Sequence, residues 1–103
     1  MNPTFDADGY PTDETLDVIS SWDCTDFYGL MEYIQQAWHW PEYCREIRLG
    51  LWRLVTGGWS GNEEIIGAIR CNAVWWLSYW LLSKRGGLHT FKAFEHQTAA
   101  RNQ

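Results

Sequence analysis

The chain lacks the marks of several common classes. It has three cysteines among 103 residues and no C-x-x-C pair. An odd, widely spaced set argues against a disulfide framework and against structural zinc. Cys24, Cys44 and Cys71 therefore read as free thiols that behave as small apolar side chains. Long apolar runs are also missing. Excusing Ser78, the longest is Ala73 to Leu82, about half of the roughly 20 residues of a membrane span. A buried helix is expected there, and no membrane association. The N-terminus, Met1-Asn2-Pro3-Thr4-Phe5-Asp6, is neither basic nor apolar, so no signal peptide is read.

Catalytic and cofactor patterns are equally sparse. Ser60 has no strand–G-x-S-x-G elbow. The three cysteines could meet His39, His89 or His96 only through the fold. No histidine pair has metal-ligand spacing. Asp6-Ala7-Asp8-Gly9 opens like a calcium loop, but Tyr10-Pro11 and Asp17 at the twelfth position break the pattern. The reading is a chain with no cofactor and no metal, and not an enzyme.

What the sequence does hold is aromatic surface. Eight Trp, five Tyr and four Phe exceed what one modest core needs. Some are expected at the surface, where Trp and Tyr favour binding interfaces. Charge is split along the chain. Residues 1–46 carry ten acids and one base, a balance of −9; residues 47–103 carry three acids and seven bases, a balance of +4. Such a split either holds the two halves together or leaves an acidic face for a basic partner. The overall charge of −5 argues against direct nucleic-acid binding.

Read in order, residues 1–11 form an extended arm, residues 12–94 a single α+β domain, and residues 95–103 a flexible tail. Thr12 after Pro11 is a good helix N-cap, and a short helix follows over about 13–21. A second helix starts near Thr25 or Asp26. Phe27, Leu30, Met31, Ile34, Ala37 and Trp38 form its apolar stripe. Pro41 ends it. Residues 47–55 alternate as a strand, with a helix as the alternative. Residues 61–83 read as one long aromatic-rich helix, whose second half is apolar nearly all round and must be covered on several sides. Lys84 and Arg85 suit its C-terminal dipole, and Gly86 or Gly87 its left-handed cap. Leu88 to Phe94 reads as a second strand that returns to the first. The expected architecture is two short N-terminal helices, an antiparallel two-stranded ribbon and the long helix over it.

The stretch Thr56 to Ile66 joins these parts. Gly57-Gly58 marks a turn. Ser60 and Glu63 have capping-box spacing, so a helix starts near Ser60. The string T-G-G-W-S-G-N-E-E-I-I, followed by an aromatic-rich helix and Lys84-Arg85-Gly86-Gly87, resembles a motif in small phage and prophage proteins of uncharacterised function. The resemblance covers roughly residues 47–94. It implies a phage-derived, intracellular protein and supplies no catalytic residues.

These features point to a binding protein of the host bacterial cytoplasm. It is expected to modulate or inhibit a host process, an anti-defence role included, through contact with a host protein. Trp59 and one or more of Trp38, Trp40 and Trp52 are the expected contact residues. The alternative is a nucleotide or other small molecule held by Gly57, Gly58, Trp59 and Ser60 with Arg48, Arg53 or Arg85. A phage structural or assembly accessory is a third reading. Homodimerisation stays open.

Overall fold

The computed structural model describes residues 1–101. Thr12 caps α1 (Asp13–Ser20), its hydroxyl accepting from Thr15 N at 3.2 Å. Asp26 caps α2 (Phe27–Ala37), a carboxylate oxygen accepting from Gly29 N at 2.9 Å. All six residues of the expected α2 stripe are buried. The chain leaves the helix at Trp38. Trp40 takes a left-handed φ of 63° before a single 3₁₀ turn, Pro41–Tyr43. The first eleven residues fold back on themselves, with a bridge between Phe5 and Pro11. Thr4 N donates to Thr15 Oγ1 at 2.8 Å and ties this segment to α1.

The sheet has four strands, not the two expected. Residues 47–55 lie in a hairpin, β1 (Cys44–Arg48) and β2 (Leu51–Val55), rather than in one strand. Gly50 is the cause. It sits in the turn with φ +79°, and a Cβ there would overlap the Thr98 methyl.

The expected helix over 61–83 is three elements: α3 (Ser60–Cys71), α4 (Ala73–Tyr79) and β3 (Trp80–Lys84). Asn72 separates the two helices. Its Nδ2 donates to Ile19 O at 3.2 Å and Trp22 O at 2.9 Å, drawing the chain out of helical geometry. Trp80-Leu81-Leu82 then pairs with β4 as the edge strand of the sheet, because a short apolar run suits strand and helix alike. Gly86-Gly87, read as a helix cap, forms the turn from β3 into β4 (Leu88–Lys92), both glycines having positive φ.

The expected return of this last strand holds: β4 pairs antiparallel with β2 from Leu51↔Lys92 to Val55↔Leu88. The sheet order is β1-β2-β4-β3. Glu95–Arg101, part of the expected tail, form α5. Gln97 Nε2 holds α5 by donating to Tyr79 Oη at 2.8 Å. Residues 102 and 103 lie outside the described residues.

The helices cover one face of the sheet. Trp52, Leu54 and Phe91 point into the core, against Ile34, Ile65, Ile69 and Trp75. Phe27 and Trp75 stack at 5.7 Å with rings 3° from parallel. Full burial of each large apolar side chain contributes about 1.5–3 kcal/mol. The opposite face of the sheet carries Arg45, Arg53, Val55 and Leu88. No helix among the described residues is long and apolar enough to cross a membrane.

Candidate functional site

The glycine turn is built differently from the expected capping box. Ser60 is the first residue of α3, and Trp59 stands at the N-cap with no side-chain cap bond. The Ser60 hydroxyl donates instead to Tyr10 Oη at 2.9 Å. The Glu63 carboxylate accepts from Thr56 Oγ1 at 3.1 Å. Thr56 is fully buried, also accepts from Gly58 N, and takes the place that spacing assigned to Ser60. Its own N–H donates to Gly87 O at 3.0 Å, so the two glycine turns meet at this residue.

Asn62 completes the junction and was not singled out in the sequence. It is fully buried. Its Nδ2 donates to Thr56 O at 3.2 Å and His39 O at 3.0 Å, and its Oδ1 accepts from His39 N at 2.9 Å. The signal was present: an asparagine in register with the apolar positions Ile65, Ile66 and Ile69 is a polar group destined for the interior, where it must be paired.

The four tryptophans expected at a contact separate. Trp38 is buried, its indole N–H donating to Val55 O at 3.0 Å. Trp52 points into the core, and its Nε1 has no hydrogen-bond partner among the described residues. Trp59 is half-buried, stacked on Tyr10 at 4.9 Å and beside His39 at 4.7 Å. Trp40 is 40% exposed and meets the His39 ring edge-on at 4.3 Å. Its ring lies over Gly57, where a Cβ would come within 2.7 Å. An aromatic row therefore runs Tyr10, Trp59, His39, Trp40.

Two adjoining hollows open beside this row. One, about 470 Å³, is lined by Trp40, Glu42, Tyr43, Val55 and Gly57. The other, about 420 Å³, shares Glu42, Tyr43 and Val55 and adds Arg45, Arg53 and Leu88. The fold thus brings Trp40, Gly57 and Arg53 to one groove, with Gly58, Trp59 and Ser60 in the turn behind it. Arg48 ends β1 and Arg85 lies in the β3–β4 turn; both are exposed and line neither hollow. Glu42, Tyr43 (54% exposed), Arg45, Val55 and Leu88 line the hollows without being among the expected site residues.

A second polar feature lies on the other side of the sheet. Trp80 Nε1 donates to Ser83 Oγ at 2.8 Å, and Ser83 Oγ lies 2.7 Å from His89 Nδ1. An indole N–H can only donate, so Ser83 Oγ accepts from Trp80, and the His89 tautomer sets the direction of its second bond. Burial holds the His89 pKa below its ordinary 6.5, and the Arg70 charge adds to this. His89 has no carboxylate partner among the described residues. Burial also pushes the Cys44 thiol far up, so it stays protonated. No cluster of three or more potential metal ligands occurs among the described residues.

No protein-family model matches the chain, no curated protein is significantly similar to it, and no solved structure matches it.

Proposed function

We propose that this is a small phage-derived binding protein of the host bacterial cytoplasm that modulates or inhibits a host process by protein–protein contact. The supporting observation is an uncovered apolar surface. Leu77 is 82% exposed and Val74 60%, with Trp80, Leu81 and Phe94 nearly half exposed. Residues 71–83 contain no Asp, Glu, Lys or Arg. Trp80, Leu81 and Phe94 line one hollow, with Lys92 and Glu95 among its other lining residues, and exposed apolar surface rimmed by charged residues marks a contact surface on a folded protein. Val74 and Leu77 belong to α4, Trp80 and Leu81 to the edge strand β3, and Phe94 lies between β4 and α5, so most of the surface sits on regular elements and binding requires little ordering.

The test is a tagged pull-down from bacterial lysate, comparing wild type with Leu77→Glu and Leu81→Glu. Both positions are exposed, so the variants should keep the melting temperature. The expected result is a stoichiometric host protein with wild type that both variants lose. A protein lane without a partner, or a partner that both variants retain, would overturn the reading.

A further inference from the structure

We propose that the outward face of the sheet binds single-stranded nucleic acid, with arginines on phosphates and Tyr43 and Trp40 on bases. Side chains alternate between the two faces of a strand, and the register fixes which residues share a face. Arg45, Arg53, Thr90 and Leu82 form one cross-strand row, and Val55, Leu88 and Lys84 a second. Lys92 and Leu51 form a third, with Arg48 opposite Leu51 beyond the β1 bulge. With Arg85 in the adjoining turn, six of the eight Lys and Arg residues gather on this face and its rim. The one ion pair among the described residues, Arg101 with Glu32, lies elsewhere.

Charge complementarity calls for an anion. Arg45 stands directly opposite Arg53, an arrangement that destabilises a sheet when nothing lies between the charges. The chain's acidity does not oppose this. Seven of its thirteen carboxylates lie in residues 6–26, on the first loop, on α1 and between α1 and α2; Glu46 on β1 stands opposite Trp52 and accepts from Gly50 N, and Glu42 is the one carboxylate among the residues lining the two hollows. Among polyanions the rings decide. An acidic peptide satisfies arginines but has no use for exposed Tyr43 and Trp40 beside them. Unpaired bases stack on such rings, while a cationic surface follows the phosphates. A duplex keeps its bases stacked on one another and leaves the rings idle. Hollows of about 420 and 470 Å³ fall in the range that holds small planar ligands.

The test is fluorescence anisotropy with a labelled single-stranded oligonucleotide of about 12 residues, titrated between roughly 50 and 200 mM salt. Wild type should bind saturably, with a log–log salt slope of about −3 for four neutralised phosphates. Arg45→Gln and Arg53→Gln should each weaken binding and flatten the slope by about 0.7. Each should also raise the melting temperature of the free protein by removing the opposed charges. Tyr43→Ala should weaken binding about tenfold with the slope unchanged. Arg70→Gln, on the helical layer, should bind as wild type. Absent binding at the lowest salt, equal affinity for duplex, or displacement by polyglutamate as effective as by unlabelled oligonucleotide would each overturn the proposal.

Discussion

His39 and Asn62, twenty-three residues apart, exchange two hydrogen bonds: the His39 N–H donates to Asn62 Oδ1, and Asn62 Nδ2 donates back to the His39 carbonyl. The side chain acts as a fully buried substitute for a backbone pair. It fixes the segment carrying Trp40 and Tyr43 against the glycine turn, and so sets the shape of the groove.

Asn62→Asp tests this. The aspartate keeps the acceptor for His39 N–H but turns a charged oxygen towards two carbonyls. Removing paired buried groups in this way costs about 2–4 kcal/mol. Urea unfolding should show that loss at neutral pH. The loss should shrink as the carboxyl is protonated. A midpoint like that of wild type would mean that the clamp contributes nothing.

Gly86 and Gly87 both have positive φ, but their surroundings differ. Nothing lies within 4 Å of a Cβ on Gly86, whereas a Cβ on Gly87 would overlap Thr56 Oγ1. Gly86→Ala should therefore cost only the left-handed backbone penalty, about 1–2 kcal/mol. Gly87→Ala adds disruption of the Thr56 bonds to Glu63 and Gly58, about 1–3 kcal/mol more. Thermal unfolding of the two variants side by side should rank them in that order. Equal losses would show that the junction of the two turns adds nothing to stability.

How much of this was legible in the chain depends on how local the cause was. Thr12 and the α2 stripe act within a few residues, and both were readable. The return of Leu88–Lys92 to residues 51–55 was readable because period-two alternation survives in both. The break at Asn72 was not. Its partners, the Ile19 and Trp22 carbonyls, lie 53 and 50 residues away, and nothing nearby marks them. The strand Trp80–Lys84 hid in an apolar run that suits either geometry. The Ser60 cap failed because Thr56, four residues upstream, reaches Glu63 from the turn. In the groove, Arg45 belongs by sequence to the acidic half, and only strand pairing sets it against Arg53.

The His89 imidazole makes stability depend on pH with a definite sign. Burial disfavours its charged form, so its folded pKa lies below the ordinary 6.5. Above that value the ring is neutral in both states and its contribution is complete. As pH falls through 6.5, the unfolded chain takes up a proton that the folded chain resists, and stability is lost. Melting temperatures should therefore drop between pH 7 and pH 5 more steeply in wild type than in His89→Gln. Parallel profiles would mean that the ring titrates alike in both states.

Trp38 and Trp52 are both buried, and their indole N–H groups have opposite fates. Trp38 donates to the Val55 carbonyl, while Trp52 Nε1 has no partner among the described residues. Replacement by Phe removes similar apolar area at the two sites. At position 38 it also strands a carbonyl; at position 52 it removes an unpaired donor. An unsatisfied buried polar group costs about 1–3 kcal/mol. Trp38→Phe should therefore destabilise more than Trp52→Phe by at least about 1 kcal/mol, read from urea midpoints at equal slopes. Because Val55 also lines both hollows, Trp38→Phe should in addition loosen the groove. Oligonucleotide affinity should fall for this variant and hold for Trp52→Phe. The reverse order of stabilities would mean that the Trp52 indole has a partner and that the Trp38 bond contributes little.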